Sequence, residues 1–324
     1  MTLQVGVIGL GVMGAEHLRL LREETAGAAV VAICDADAAR ARTLAAGADV
    51  FDDPFALIAS DRVEAVVIAS PDATHAGLAL ACLAAGKPAL CEKPLALTAG
   101  EALQIVNAEA GVGRRLLQVG YMRRFDPAYC DMKRSTEDGL IGPPVLLHNT
   151  HRNAGAPDWF TGAMAITNSF VHEIDISRWL LGSEPVSAMV HAAPGRDPLL
   201  ITLETERGEL ISTEVFMNAC YGYHVHAQIV GRSGTVEMAQ PAVMLTNSAM
   251  QHGHRYSENW VPRFRDAYRR QMGAWVRSVS TGVPVGASAW DGYVATTIAE
   301  QIVAALGGCG KVSLTLAPRP DFYR

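Results

Sequence analysis

Hydrophobic positions change their spacing once along this chain, near residue 120. Before that point, short apolar runs alternate with helical segments. "LQVGVIG", "AVVAICD", "ADVFD", "VEAVVIAS", "PALCEKP" and "RLLQVGY" read as strands, and helices are predicted over 13–26, 37–46, 73–86 and 98–110. Strands alternating with helices give a parallel sheet with helices on both faces. The runs at 28–34 and 63–69 are almost wholly apolar, as strands covered from two sides should be.

Beyond residue 121 the period shortens. "PPVLLHNTHRN", "VSAMVHAA", "LLITLETERGELISTEVFMN" and "YHVHAQIVGRSGTVEM" read as strands, several with alternation of period 2. In "ELISTEVFMN", Ile211, Val215 and Met217 share one face, while Ser212, Glu214 and Asn218 share the other. "ERGE" and "GRSG" are turn signals between neighbouring strands. With helices expected over 164–181 and 288–306, this half reads as a largely antiparallel open sheet with helices. The pattern predicts two domains, 1–120 and 121–324, with no internal repeat and no low-complexity segment.

Composition narrows the classes. With 324 residues, 49% hydrophobic and 19% charged, the chain has the make-up of a globular protein with large cores. A net charge of −6 argues against nucleic acid, because a phosphate backbone rewards a basic surface. The basic stretch "PRFRDAYRRQ" at 262–271 has the spacing of a solvated helix face. The most apolar helical run, 76–86, is too short to cross a bilayer, and "QVGVIGLG" starts a strand where a signal peptide would lie. The six cysteines at 34, 82, 91, 130, 220 and 309 form no CxxC pair, and read as buried thiols of a cytoplasmic protein.

Gly9, Gly11 and Gly14 in "VGVIGLGVMGAEHL" have the GxGxxG spacing. Gly9 permits a tight strand-to-helix turn, Gly11 lets backbone approach a pyrophosphate, and Gly14 allows close helix–strand packing. The motif follows a strand and opens a helix, which is the context a dinucleotide site needs; a glycine-rich turn used for packing alone is the competing reading. Asp35 ends the second strand, where an acid accepts hydrogen bonds from a ribose diol and repels a 2′-phosphate, so NAD is expected over NADP. The first domain is therefore expected to be a Rossmann-type doubly wound parallel sheet.

Two further stretches carry chemistry. In "CEKP", residues 91–94, Glu92 and Lys93 follow an apolar strand and precede a proline. Ligands of open parallel sheets bind beyond the carboxyl ends of the strands, so Lys93 is expected where nicotinamide and substrate meet. The alternative is a structural Lys–Glu pair. In "AITNSFVHEIDISRWLLG", Asn168, His172 and Asp175 have the i−4, i, i+3 spacing of one helix face. Ile176, Trp179 and Leu180 supply an apolar stripe, with Gly182 as a stop.

The fingerprint, "EKP", the "HxxD" helix, "QVGYMRRFD", "THRN", "YGYHVHAQIVG" and "AWDGYVA" together resemble the glucose–fructose oxidoreductase/inositol dehydrogenase/MocA (Gfo/Idh/MocA) family, and within it the inositol dehydrogenases. The likeness runs from residue 3 to "PDFYR". It implies an α/β substrate domain whose open sheet makes oligomer contacts, usually in a tetramer. It also implies a nicotinamide cofactor, no metal, and oxidation of a ring hydroxyl to a ketone. By the same likeness Lys93 holds the reacting hydroxyl and His172 accepts its proton, while Met122, Arg123, His151, Asn153, Asp175 and Tyr223 line a cyclitol site. The cofactor set comprises Gly9, Gly11, Val12, Met13, Gly14, Asp35, Ser70, Pro71, His75, Glu92 and Lys93. His151 and Asn149 alternate onto one face of their strand, so His151 reaches a pocket while its neighbours pack.

One position departs from the pattern. Inositol dehydrogenases typically carry an aspartate four residues before the catalytic histidine; this chain carries Asn168. An amide can hydrogen-bond imidazole or a hydroxyl but cannot stabilise imidazolium by charge. Asn168 is thus a third catalytic candidate, as an orienting partner. The resulting expectation is an NAD-dependent dehydrogenase of inositol or a related polyol ring. An aminocyclitol or hexose dehydrogenase and a non-catalytic NAD(H) sensor are the alternatives. "HVH" at 224–226 and "HGH" at 252–254 lack the spaced acids or cysteines that would complete a metal site. Asp291 of "AWDGYVA" opens the last helix, mostly for packing, with contact to substrate as the alternative.

Overall fold

The alternating first part of the chain folds into a six-stranded parallel sheet, β1 (Leu3–Ile8), β2 (Ala28–Cys34), β3 (Asp49–Phe51), β4 (Ala65–Ile68), β5 (Ala89–Cys91) and β6 (Leu117–Val119). The computed structural model describes residues 2–239, 246–308 and 310–324. Strand order β3-β2-β1-β4-β5-β6 reverses direction of winding between β1 and β4, which opens a crevice at their carboxyl ends. Helices α1 (Val12–Glu23), α2 (Ala38–Leu44), α3 (Pro54–Ala59), α4 (Asp72–Ala84) and α5 (Ala99–Val112) link the strands. Local chemistry sets their ends: Asp37 caps Ala39 and Arg40 at the start of α2, and a Thr98–Glu101 capping box starts α5.

The second part begins with α6 (Pro127–Glu137) and builds a seven-stranded sheet. Its strands are β7 (Pro144–Arg152), β8 (Pro185–Ala192), β9 (Leu199–Thr205), β10 (Leu210–Phe216), β11 (His224–Gly231) and β12 (Thr235–Glu237), with β15 (Val312–Ser313) at one edge. A separate hairpin pairs β13 (Thr246–Ser248) with β14 (Gln251–Gly253). The order is β12-β11-β7-β10-β9-β8-β15, antiparallel throughout except for the parallel β7–β10 pair. The predicted alternation holds on β10, where Ile211 and Val215 are buried and Ser212 and Glu214 are half exposed. Both predicted turns join neighbouring strands, "ERGE" using Gly208 at φ +85°.

Residues Met1–Phe125, Asp266–Thr297 and Leu316–Arg324 form one compact unit, and Asp126–Arg265 with Ile298–Thr315 form the other. The expected single break after residue 120 does not describe this return of the chain. Helices α9 (Trp260–Thr281) and α10 (Ala289–Ala305) each contribute residues to both units. Met272, Trp275 and Val276 of α9 join Val5, Val7, Ile33, Val67 and Leu90 in the core of the first unit, each large apolar side chain contributing about 1.5–3 kcal/mol by burial. The basic stretch is a solvated face only in part: Arg269 and Arg270 are exposed and bond to Asp266, whereas Arg263 is half buried and pairs with Asp126 at 2.8 Å.

The helix expected over 164–181 is not one uniform α-helix. A single turn, α7 (Gly162–Met164), leads into a π-helical segment, Ala165–Phe170, before α8 (Val171–Leu181) closes at Gly182 with φ +63°. An apolar stripe was expected on one face of it. Instead Val171 to Arg178 are all buried, polar members included, because α8 packs against β7 and α6. Cysteine burial is also corrected: Cys34, Cys82 and Cys91 are buried, Cys130 is half buried and Cys220 is exposed. Cys309 lies outside the described residues. Among the described residues no helix is long and apolar enough to cross a membrane.

Candidate active site

In the first unit the β1–α1 turn is built around its glycines. Gly9 sits at φ +85° with its N–H donating to Cys34 O at 2.8 Å, and a Cβ there would lie 2.4 Å from Ser70 N. A Cβ on Gly14 would lie 1.8 Å from Gly9 O, so helix and turn meet backbone to backbone. Gly11 is different. Nothing lies within 4 Å of its would-be Cβ, so the space in front of it is open. Gly11 is also the N-cap of α1 and brings no side chain to the first-turn N–H groups of Val12, Met13 and Gly14. Open space before orphan N–H donors at a helix N-terminus is what a pyrophosphate requires.

A cleft of about 910 Å³ adjoins this turn, lined among others by Gly9, Gly11, Asp35, Arg40, Phe55, Ser70 and Thr74. Asp35 follows β2 directly; its Oδ2 accepts from Leu10 N at 2.5 Å and its Oδ1 from Asp37 N at 2.7 Å. Arg40 approaches Asp35 at 3.4 Å and Asp37 at 3.3 Å, so two carboxylates hold the cation nearest the expected ribose. This arrangement disfavours a 2′-phosphate. NAD is expected to exceed NADP in kcat/KM by at least about tenfold, or 1.4 kcal/mol. Asp35→Ala should narrow that gap, since it removes the repelling charge and frees Arg40. Steady-state rates with both cofactors check it, and equal use of NADP by the unaltered protein would show that Asp35 does not face the ribose.

Ser70 and Pro71 follow β4, Ser70 Oγ lying 2.6 Å from Thr74 Oγ1. His75 is fully buried, with Nδ1 2.7 Å from Pro94 O and Nε2 2.9 Å from Ser70 O. It ties the corner after β4 to the corner after β5. Glu92 is buried in that second corner, its Oε1 2.7 Å from His17 Nε2 of α1 and its Oε2 accepting from Lys93 N at 3.2 Å. Burial alone would push the Glu92 carboxyl up, but the His17 bond and the Lys93 charge outweigh it and hold it below the usual carboxylate range. The partner that accounts for Glu92 is thus His17, which the sequence analysis did not single out. Lys93, half buried, stands at the exit of β5 beside this braced carboxylate.

Met122 and Arg123 are buried on the 3₁₀ turn Met122–Phe125 of the same unit. Asp291 caps α10, accepting from Ser288 N and Oγ at 2.8 Å each, and pairs with Arg124 at 3.1 Å.

The second unit gathers the remaining candidates on α8, its π-helical lead and the strands beneath. Strand alternation turns Asn149 and His151 inward, 5% and 3% exposed. His151 Nδ1 lies 3.0 Å from both carboxylate oxygens of Glu173 on α8. The Tyr223 ring stands edge-on to His151 at 5.9 Å and edge-on to Phe264 at 6.2 Å. Next to Glu173 on α8, His172 is 8% exposed; Asp175, further along, is fully buried. Asn168 is half buried on the π-helical segment. Asn153, just past β7, holds its backbone against Phe216 O and Ala219 N, each at 2.9 Å. Its side-chain oxygen is buried with no hydrogen-bond partner among the described residues, and can accept from a ligand hydroxyl.

Glu173 went unnoticed in the sequence. Its signal was an acid inside "FVHEIDISRWLL", a segment too apolar to expose it. Among the described residues, the imidazoles of "HVH" and "HGH" belong to no group of three or more His, Cys, Asp or Glu that could hold an ion. His224 is instead pushed below the ordinary imidazole range by burial, and by the nearby Arg152 and His226.

Residues 3–121 match the NAD-binding Rossmann fold domain of the oxidoreductase family, and residues 133–314 match that family's C-terminal alpha/beta domain. Inositol 2-dehydrogenase 1 of Saccharopolyspora erythraea is 49% identical, over 100% of this chain and 99% of its own. Inositol 2-dehydrogenase of Paracoccus denitrificans is 40% identical over 100% of both chains. The crystal structure of myo-inositol dehydrogenase from Lactobacillus casei in complex with NAD(H) and myo-inositol superposes with a TM-score of 0.96 at 32% identity, covering 100% of both chains. Turn, cleft, buried imidazoles and full-length likeness lead to one assignment: the chain belongs to the Gfo/Idh/MocA oxidoreductase family, with an NAD-binding Rossmann domain followed by the family's alpha/beta domain.

Proposed function

We propose that this protein oxidises a ring hydroxyl of inositol or a closely related cyclitol to the ketone with NAD as acceptor. The observation that carries the reading is the set of buried polar groups in the second unit: His151 paired with Glu173, His172, Asp175, and the Asn153 oxygen with no hydrogen-bond partner among the described residues. Such groups suit a ligand offering many hydroxyls. The inositol-bound Lactobacillus casei structure supports it.

Bound NAD supplies the hydride acceptor. Lys93 holds the reacting hydroxyl and stabilises the oxygen as negative charge develops. His172 takes the hydroxyl proton, so that the O–H proton and the C–H hydride leave by separate routes. Met122, Arg123, His151, Asn153, Asp175 and Tyr223 line the cyclitol's remaining edges.

A second reading has one observation in its favour, Asn168 in place of a carboxylate. It suits a ring with a different substituent pattern, such as an aminocyclitol or a hexose. The test is NADH formation with a panel of inositol isomers, aminocyclitols and hexoses. Best turnover on an inositol supports the first reading and best turnover on the others the second. Tight NADH binding with no turnover on any would leave a cofactor-binding sensor.

We further infer a homotetramer assembled through the open face of the seven-stranded sheet, where Leu200 and Leu210 are 44% and 52% exposed. A cytoplasmic location fits the free thiols of Cys34, Cys82, Cys91, Cys130 and Cys220.

A further inference from the structure

A buried carboxylate–imidazole pair of the second unit is formed by Glu173 and His151. Both partners are buried, with side-chain exposures of 4% for His151 and 1% for Glu173. His151 Nδ1 is 3.0 Å from each carboxylate oxygen, a geometry in which one N–H is shared between two acceptors. A neutral imidazole carries a single N–H, so a proton on Nδ1 leaves a lone pair on Nε2. The surroundings hold the ring in this pose. Its strand neighbours in register are Val215 on β10 and Val225 on β11, both buried and both apolar. Tyr223 meets the ring edge-on at 83° and is backed by Phe264.

Burying a carboxylate inside α8 is costly unless a specific interaction repays it. On the same stretch of helix, Asn168 offers an amide and no charge. Glu173 meets that cost by accepting from His151 Nδ1 through both of its carboxylate oxygens.

We propose that Glu173 is a positioning residue for the reaction: it fixes His151 with its proton on Nδ1, so that Nε2 accepts a hydrogen bond from a hydroxyl of the ring substrate. This rests on the cyclitol reading of the site. An acceptor at this point selects a group with a proton to give. A hydroxyl satisfies it; a methyl ether at the same carbon does not.

The tautomer is read directly from two-bond proton–nitrogen spectra of protein labelled with ¹⁵N-histidine at mildly alkaline pH, with His151→Gln identifying the His151 signals. The expected spectrum has a protonated Nδ1 and an unprotonated Nε2. Glu173→Gln should lower kcat/KM for the best cyclitol by about 10–100-fold, the range seen where a carboxylate orients an imidazole, while KM for NAD stays within about twofold. Glu173→Asp should restore part of the loss, because the negative acceptor is kept. In a His151→Gln background, Glu173→Gln should add less than about threefold, since two residues acting as one unit are not additive. That non-additivity and the Asp rescue separate positioning from mere stability, and Glu173→Asp remains informative if Glu173→Gln fails to fold. A proton on Nε2 in the unaltered protein, or a loss from Glu173→Gln that is fully additive with His151→Gln, overturns the proposal. The spectrum is taken without substrate. A protein with the expected tautomer that turns over no cyclitol would therefore sink the functional reading, whereas the wrong tautomer in an active enzyme would sink this one.

Discussion

Lys93→Ala should lower turnover by about 10³-fold while NADH binding changes by no more than about twofold, because its proposed work is at the reacting oxygen. The residue leaves β5 beside Glu92, which is itself occupied by His17 at 2.7 Å. Bracing of this kind holds the corner's backbone, so alanine at 93 removes an ammonium without removing the corner. Lys93→Arg should rescue little, since a planar fork does not replace a compact point charge. The measurements are steady-state rates with the best polyol and an NADH fluorescence titration. If Lys93→Ala keeps most of its activity, the corner is structural and the hydroxyl is held elsewhere.

The second large effect is expected at Asn168. An aspartate there would favour the imidazolium form of the neighbouring base through its charge, which an amide cannot do. In the proposed mechanism, oxidation needs a neutral His172 as acceptor. Asn168→Asp should therefore move the acid limb of the pH–rate profile to higher pH, and above that limb it should speed oxidation of myo-inositol by up to about 10²-fold. In serine proteases the reverse exchange at the base's partner costs about 10⁴, part of it through a wrong tautomer, so a smaller figure applies here. If Asn168 instead reads a substituent of the true substrate, the same change will move preference toward myo-inositol at that substrate's expense. Profiles and preferences identical in both forms would mean that Asn168 meets neither His172 nor the ring. The π-helical segment gives that outcome a physical basis, since a widened turn no longer obeys the i, i+4 spacing of an α-helix.

Much of the architecture is legible in the sequence. The parallel sheet follows from apolar runs that alternate with helices, and the β1–α1 turn from three glycines set between a strand and a helix. Inward-facing Asn149 and His151 followed from a period of two. These are local rules, in which each residue's role is set by neighbours a few positions away.

What the amino-acid sequence determined by itself is therefore the set of elements, the cofactor fingerprint and the inventory of polar groups placed in apolar segments. What it left undetermined is which of those groups meet. That Glu92 answers His17, 75 positions earlier, and that Glu173 answers His151, 22 positions earlier, depends on how helices settle on sheets. No local pattern encodes such pairings. The π-helical lead into α8 and the burial of that helix on all sides have the same origin. They reflect a competition between helix geometry and packing against β7 and α6, in which the gain from burial outweighs regular local spacing. The return of residues 266–297 to the first unit is decided likewise, by Trp275 and its neighbours finding an apolar surface that only the folded sheet presents.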